Sequence, residues 1–275
     1  MTPTTPWRLI IHPAGRGAWN MAVDEAILES AGRRLTPPTL RLYAWSPPCL
    51  SLGFTQPAAD VDQEGLNRRG WDLVRRPTGG RAILHTDELT YSLAAPLDEP
   101  HVYGSVLQSY SRLSQGLIQM LTLVGIRAHA DQGSLPDGAL AHPGPVCFQV
   151  PSKYEITVNE KKLIGSAQAR RKDGVLQHGS IPLCGDLTRI NQALAYPSLD
   201  ARRQADQDLR AHATHLEAVL GRRVPWEELS QACARGFAQA LQLHLVPGQL
   251  TPGEVQRAHE LQHEKYDHAS WTLKS

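Results

Sequence analysis

The sequence predicts an α+β fold, in which mixed or antiparallel sheets carry flanking helices. Three apolar segments of strand length follow one another between Tyr154 and Pro182, separated by short turns, and we expect a meander that packs beside the first sheet. A long helical pattern precedes them, and the pattern is mostly helical from Asp186 onward. Strands and helices that are grouped in this way are typical of the α+β class.

Six strands and two short helices are predicted from the sequence of the first half of the chain. We expect two of the strands, Thr39 to Trp45 and Cys49 to Phe54, to pair around the turn at residues 46–48. Asn20 is a suitable N-cap for the helix that extends to Ser30. The other predicted elements are strands at Trp7 to His12, Trp71 to Val74, Ala82 to Leu84 and Leu89 to Ala95, and a helix at Asp60 to Arg69.

The second half contains the clearest helix, from about Val102 to Val124. Its leucines recur at three- and four-residue spacing, and Gly125 is placed to end it. A long connection follows at residues 130–145, and connections of this length are usually functional or disordered. The later elements are strands at Tyr154 to Val158, Lys162 to Arg170 and Val175 to Pro182, and helices at Pro225 to Leu241 and Pro252 to Tyr266.

Composition excludes several classes of protein. The 275 residues carry 28 Lys plus Arg against 27 Asp plus Glu, so the net charge of +1 favours neither nucleic acid nor an anionic membrane as a partner. The four cysteines stand far apart, without the Cys-x-x-Cys pairs of zinc sites. No stretch has the length of a membrane span or the character of a signal peptide. We therefore expect a cytoplasmic protein with reduced thiols.

A glycine turn between two predicted strands is the first candidate for a ligand site. Residues 75–85 read RRPTGGRAILH. The paired glycines, Gly79 and Gly80, permit positive φ and close approach of a ligand, while Arg75, Arg76 and Arg81 supply cationic donors. A Gly-Gly pair between strands is also common in simple β-hairpins, and both interpretations remain open at this point.

Cys147 is the candidate nucleophile. It follows the long connection and precedes a strand, and a thiolate there requires a nearby cation or base. Lys162, at the start of a strand one hairpin away, is a candidate for that cation. The alternatives are a buried apolar cysteine and a lysine that protects a strand edge.

Two histidines lie beside predicted strands. His178 precedes Gly179, where a ligand or a second strand could come close, and His85 ends the glycine-turn motif. Each is equally suited to a hydrogen-bonded position in the core. His259 and His263 have the i, i+4 spacing of metal ligands, but no glutamate of the His-Glu-x-x-His kind lies between them, so no metal site is predicted.

Taken together, these motifs resemble the biotin/lipoate protein ligase A/B family and, within it, the octanoyltransferase branch. The resemblance covers nearly the whole chain in order and spacing. It is carried by residues 20–24 (NMAVD), 51–56 (SLGFTQ), 75–85, 88–92 (ELTYS), 147–148 (CF), 151–156 (PSKYEI), 162–168 (KLIGSAQ), 177–181 (QHGSI) and 264–266 (EKY), with Trp271 after them.

The resemblance implies one catalytic domain over residues 1–275, with a core to about residue 245 and a helical extension at 246–275. It also implies acyl transfer from octanoyl-acyl carrier protein to a lysine of a lipoyl-domain protein such as the glycine-cleavage H protein. Cys147 matches the acyl-accepting cysteine and Lys162 the lysine that assists it. No cofactor is implied.

The residues expected to bind substrate come from three segments around the acyl slot. They are Arg75, Arg76, Thr78, Gly79, Gly80, Arg81 and His85 from the glycine turn, Ser166 and Ala167, and Gln177, His178 and Gly179.

Three other functions remain open at this stage. An ATP-dependent lipoate ligase shares several motifs, but such ligases usually have a third glycine where Arg81 stands. An octanoyl amidotransferase of the same family also uses a cysteine, and moves the acyl group between lipoyl-domain proteins. A non-catalytic acyl-carrier-binding protein would keep Cys147 unacylated.

Overall fold

The α+β prediction with mixed sheets is confirmed by the structure, a computed structural model that describes residues 6–130, 145–146, 156–172 and 174–274. The strands are β1 (Trp7–Ile11), β2 (Thr39–Tyr43), β3 (Cys49–Leu52), β4 (Asp72–Arg75), β5 (Ile83–His85), β6 (Glu88–Ala95), β7 (His129–Ala130), β8 (Ile156–Val158), β9 (Lys161–Arg170), β10 (Val175–Pro182) and β11 (Leu245–Pro247). The helices are α1 (Gly17–Gly32), α2 (Gln63–Arg69), α3 (Val106–Leu123), α4 (Leu199–His212), α5 (Leu216–Leu220), α6 (Trp226–Leu241), α7 (Pro252–Leu261) and α8 (Ala269–Thr272).

The larger sheet has eight strands in the order β11-β1-β2-β6-β10-β9-β8-β7. β1 is parallel to β2 and β11, and the pairs from β2 to β7 are antiparallel. The predicted meander is present as β8, β9 and β10. The expectation that the meander packs beside the first sheet is wrong. It forms part of the larger sheet itself, because β10 pairs along its whole length with β6.

The smaller sheet has three strands in the order β4-β3-β5. The expected pairing of β2 with β3 is wrong, because β1 and β6 already occupy both edges of β2. β3 instead lies between β4, which is parallel to it, and β5, which is antiparallel. The glycine turn therefore joins two strands that flank a third, and the hairpin interpretation of residues 75–85 is excluded.

The helices cover the larger sheet on both faces. Leu89, Tyr91 and Leu93 of β6 pack toward α3 and α6, while alternate residues of the sheet face α1 and α7. α3 begins at Val106, a few residues later than predicted, because its N-cap Ser105 forms a capping box with Gln108. α3 and α6 approach closely through two glycines, since a Cβ on Gly236 would lie 2.6 Å from the carbonyl oxygen of Gly116.

α1 begins at Gly17, earlier than predicted, so Asn20 lies inside the helix and is not its cap. The Asn20 side chain is buried and donates hydrogen bonds to the carbonyls of Gly15 and Ala44. It thereby ties the helix to the loops that follow β1 and β2.

The C-terminal residues are built into the same structure. β11 pairs with β1, and residues of α7 pack in the core beside α1. The segment after α7 returns to the smaller sheet, where the indole of Trp271 donates a hydrogen bond to the carbonyl of Arg75. Within the described part of the chain, no helix is both long and apolar enough to cross a membrane.

Candidate active site

A cavity lies between the two sheets, with α1 at one end. Its empty space, part of which is open to solvent, is about 410 Å³, and its walls come from β9 and β10 of the larger sheet and from β3, β5 and the glycine turn on the other side. Its lining residues are Met21, Tyr43, Trp45, Ser51, Arg76, Gly80, Ile83, His85, Thr90, Gly165, Ser166, Ala167, His178, Gly179 and Ser180.

The cavity brings together most of the residues that the sequence singles out. Those that line it are Arg76, Gly80, His85, Ser166, Ala167, His178 and Gly179. Thr78 does not line the cavity, but its hydroxyl lies 2.7 Å from Nε2 of His178, which does. Gln177 is buried on the opposite face of β10, where its amide donates to the Tyr91 hydroxyl at 3.0 Å.

The glycine turn is held in place by backbone contacts to the loop after β3. The amide of Phe54 donates to the carbonyl of Thr78 at 2.8 Å, and a Cβ on Gly53 would lie only 1.8 Å from the carbonyl oxygen of Gly80. Gly80 itself has φ of 91°, a conformation that favours glycine. Gly79 has open space around it. The close approach that the sequence suggests is thus made by the protein's own backbone.

The arginines of the motif have different positions. Arg75 is fully buried, does not line the cavity, and donates to carbonyls on both sides of it: Gly53, Phe54, Gln56, Trp271, Thr272 and Lys274. Arg76 lines the cavity and donates to the carbonyls of Gly79 and Arg81 as well as to Ser51. Arg75 therefore fixes the C-terminal segment, while Arg76 closes the glycine turn.

One buried polar network lies beneath the cavity at α1. The Asp24 carboxylate is 2.7 Å from Nη1 of Arg41, accepts from the Tyr43 hydroxyl at 2.9 Å, and lies 3.5 Å from Nδ1 of His178. Arg41 also donates to Nδ1 of His12 at 3.0 Å. Burial, and next the charge of Arg41, lower the pKa of His12 to about 4, so this ring is a neutral acceptor.

A second buried network lies beneath the cavity at the start of β6. The Glu88 carboxylate is 2.7 Å from Nδ1 of His85 and accepts from the hydroxyls of Thr90 and Ser180. On its other side, Nε2 of His85 is 2.8 Å from Oγ of Ser51. The His85 ring also stacks on the indole of Trp45, at 3.9 Å between ring centroids and 13° between planes.

Both carboxylates are held in their charged form. Burial alone raises the pKa of Asp24, but Arg41 and His178 outweigh it and keep this pKa below its ordinary value. Burial likewise raises the pKa of Glu88. His85 and the hydrogen bonds from Ser180 and Thr90 outweigh burial, so the pKa of Glu88 lies below its ordinary value. The pKa of His178 is lowered by burial, which outweighs the attraction of Asp24. Two buried carboxylates therefore lie behind the cavity wall, Asp24 paired with Arg41 and Glu88 facing His85.

Cys147, the predicted nucleophile, lies outside the described residues. Its neighbour Val146 is buried and forms a parallel bridge with Ala82, at the end of the glycine turn. The carbonyl of Pro145 accepts hydrogen bonds from the amide of Ala82 and from the side chain of Gln56, each at 3.0 Å. The chain is thus anchored to the glycine-turn wall of the cavity immediately before Cys147.

Lys162 is buried in β9, three residues before Gly165, which lines the cavity. Its carbonyl accepts from the amide of Thr214 at 3.0 Å. It is not an exposed edge residue, so the interpretation of Lys162 as edge protection is wrong.

Sequence reasoning missed the buried acids Asp24 and Glu88, the Asp24 partner Arg41, and Ser51, which contacts His85. Two signals were available. Asp24 lies four residues after Asn20, on a helix side that is otherwise apolar. Glu88 begins an alternation of polar and apolar residues along β6, which places its side chain on the face opposite the α3 core.

Comparison with known proteins identifies similar chains of nearly the same length. Residues 16–238 match the family described as the lipoyl protein ligase A/B catalytic domain. The chain is 43% identical to octanoyltransferase LipM of Kyrpidia tusciae over 274 residues, which are 98% of each chain. It is also 43% identical to octanoyltransferase LipM of Moorella thermoacetica over 270 residues, again 98% of each.

The fold is shared with a solved structure. A bipartite lipoate protein ligase from Thermoplasma acidophilum, solved in a study of its lipoylation system with an E2 lipoyl domain, superimposes with a TM-score of 0.81. The match covers 98% of this chain and 96% of that one, at 24% sequence identity.

Proposed function

The chain belongs to the lipoyl protein ligase A/B catalytic-domain family, and from this premise we propose that it is an octanoyltransferase of lipoate biosynthesis. The observation that carries the proposal is the 43% identity, over 98% of both chains, to proteins named octanoyltransferase LipM. The acyl donor is octanoyl-acyl carrier protein, and the acceptor is a lysine of a lipoyl-domain protein such as the glycine-cleavage H protein.

Transfer proceeds through a thioester on Cys147. The Cys147 thiolate attacks the carbonyl carbon of the donor thioester, a carbon–sulfur bond forms to Cys147, and the carrier's phosphopantetheine leaves as a thiolate that takes up a proton. The exchange of one thioester for another keeps the acyl group activated, so an amine can attack it without ATP. Lys162, as an ammonium, favours the thiolate and stabilises negative charge on the carbonyl oxygen.

The cavity suits an octanoyl chain. Met21, Trp45 and Ile83 give it apolar surface. Burial of about seven CH₂ and CH₃ groups, at about 0.8 kcal/mol each, provides several kcal/mol of binding free energy. The acyl chain therefore anchors the donor while the thioester reacts at Cys147.

We propose the cytoplasm as the compartment of this reaction. Cys49, Cys184 and Cys233 are free thiols in the structure, and a reducing compartment keeps them and Cys147 in that state.

An acylation assay tests the function. On incubation with octanoyl-acyl carrier protein without ATP, the protein is expected to gain the mass of one octanoyl group, and Cys147→Ala is expected to gain none. The matched control is Cys184→Ala, because this partly exposed cysteine does not line the cavity and its variant should be acylated like the native protein. Formation of octanoyl-AMP or lipoyl-AMP with ATP, and no adduct without it, would identify a ligase instead.

Lys162→Ala is expected to slow acylation of Cys147 about 100-fold, because it removes one donor to the developing oxyanion. Rapid-mixing measurement of adduct formation gives the rate, and circular dichroism checks the fold. The control is Lys161→Ala at the adjacent position, whose ammonium donates to the exposed carbonyl of Arg210. Equal acylation rates in the two variants would remove Lys162 from the mechanism.

A further inference from the structure

The Glu88, His85 and Ser51 side chains form a continuous chain of hydrogen bonds that ends at the cavity wall. His85 Nδ1 meets Glu88 at 2.7 Å, and His85 Nε2 meets the Ser51 hydroxyl at 2.8 Å. His85 and Ser51 both line the cavity, whereas Glu88 is buried behind them. Neither Cys147 nor Lys162 chemistry, as described above, uses this chain.

The geometry accommodates His85 with or without a proton on Nε2. In the neutral ring, Nδ1–H donates to Glu88 and Nε2 accepts from the Ser51 hydroxyl. In the charged ring both N–H groups donate, and the Ser51 oxygen accepts from Nε2 as it already accepts from Arg76 Nη1 at 3.1 Å. Rotation of a single hydroxyl group therefore connects the two states.

The other histidine of the cavity is less suited to take up a proton. The Asp24 carboxylate forms an ion pair with Arg41 at 2.7 Å and lies farther, at 3.5 Å, from Nδ1 of His178. Glu88 has no arginine or lysine among its side-chain partners in the described part of the chain, and its carboxylate faces His85 directly. A positive charge on the His85 ring would thus be closer to its carboxylate, which has no other cationic side-chain partner among the described residues, than a positive charge on His178 would be.

The octanoyl transfer proposed above has a step that needs such a base. When the lysine amine of the acceptor attacks the Cys147 thioester, a carbon–nitrogen bond forms, the carbon–sulfur bond breaks, and the nitrogen must lose a proton. The sulfur leaves as a thiolate. The proton therefore has to move to a group near the acyl carbonyl and return later to sulfur or to water.

We propose that Ser51, His85 and Glu88 form the proton relay for this second half of the reaction. The attacking amine gives its proton to the Ser51 oxygen while the Ser51 proton passes to Nε2 of His85. Glu88 holds the ring in orientation through Nδ1 and balances its charge. The relay rests on the proposed octanoyl transfer, but it is separable from the acylation of Cys147.

The relay has few charged neighbours. The ionisable groups that face His85 from the surrounding elements are Glu88 at the start of β6, Cys49 on β3, Arg76 just after β4, His178 on β10 and Tyr43 on β2. Glu88 is the anion that contacts the ring, at 2.7 Å from Nδ1, so its replacement is the most direct test of the relay.

The test measures the two half-reactions separately. The protein is first octanoylated on Cys147 with octanoyl-acyl carrier protein and freed of donor. The apo form of a lipoyl domain is then added, and transfer is followed in a single turnover across a range of pH. Each variant receives the same acceptor, so ionisation of the acceptor lysine affects all of them equally.

His85→Gln is expected to slow transfer of the octanoyl group to the acceptor about 100-fold more than it slows acylation of Cys147. Ser51→Ala should show the same selective loss. In Glu88→Gln, which keeps the size of the side chain, the pH of half-maximal transfer rate should move to lower pH, because the ring then lacks its neighbouring carboxylate charge. His101→Gln, which alters a second histidine–glutamate pair outside the cavity, should match the native protein.

The outcomes separate this inference from the proposed function. If the native protein is not octanoylated, the proposed function fails. If Ser51→Ala and Glu88→Gln are octanoylated and transfer at the native rate with an unshifted pH profile, the relay is wrong while the function stands. A slower rate in Glu88→Gln with no shift of the profile would also overturn the relay, since it would indicate only a structural contact.

Discussion

Asp24→Ala is expected to lower the free energy of unfolding by about 3–5 kcal/mol. The carboxylate is fully buried and forms an ion pair with Arg41, which is itself only 1% exposed. Its loss leaves the guanidinium charge buried without its counter-ion and removes the acceptor of the Tyr43 hydroxyl. Urea unfolding followed by circular dichroism measures the difference.

The matched control is Asp200→Ala. Asp200 also forms an ion pair with an arginine, Arg203, but both side chains are largely exposed. Its removal should change the free energy of unfolding by less than about 0.5 kcal/mol. If the two variants are equally stable, the Asp24–Arg41 pair does not hold α1 to the sheet as the geometry indicates.

The same pair predicts a pH dependence. The pKa of Asp24 in the folded protein lies below its ordinary value of 3.8, so the unfolded state binds the proton more readily. The stability that Asp24 contributes is therefore complete above that ordinary value and is lost as the pH falls through the lower folded-state pKa. The difference between the native protein and Asp24→Ala should decrease over that range.

The sequence predicted most of the elements because their signals are local. Apolar spacing located α3 and the meander of β8, β9 and β10, and prolines located the starts of α6 and α7. Which strands pair is decided elsewhere in the chain. β2 and β3 are close in sequence, yet β2 pairs with β1 and β6 while β3 pairs with β4 and β5, and no pattern within residues 39–54 distinguishes those partners.

The cavity was predictable only in part for the same reason. Ser166, Ala167 and His178 belong to recognisable motifs and do line it. The buried polar residues find their partners in distant parts of the chain: Asp24 contacts Arg41 and His178, and Ser51 contacts His85 from another strand. A sequence pattern shows that a polar residue lies on an apolar face, but only the fold shows which side chains form hydrogen bonds or ion pairs with it.

Gly53→Ala is expected to be the most damaging change in the glycine-turn region. A methyl group at this position would lie 1.8 Å from the carbonyl oxygen of Gly80, and this contact is between backbones, so no side-chain rotation relieves it. The loop after β3 or the turn that carries Gly80 must therefore move. We expect a loss of about 3 kcal/mol in the free energy of unfolding, at the upper end for overpacked sites.

The displacement should reach the cavity, because Gly80 lines it and the same loop contacts the segment before Cys147. Gln56, three residues after Gly53, donates to the carbonyl of Pro145 at 3.0 Å. Octanoylation of Cys147 in Gly53→Ala should consequently be slower even at temperatures where the variant remains folded.

The matched control is Gly79→Ala, since no atom lies within 4 Å of the added methyl group there. If Gly53→Ala unfolds and reacts like Gly79→Ala, the crossing of the two backbones does not determine the shape of the site. If only Gly53→Ala is impaired, the glycines of the motif serve different purposes: Gly53 and Gly80 permit the protein to pack against itself, and Gly79 leaves open space.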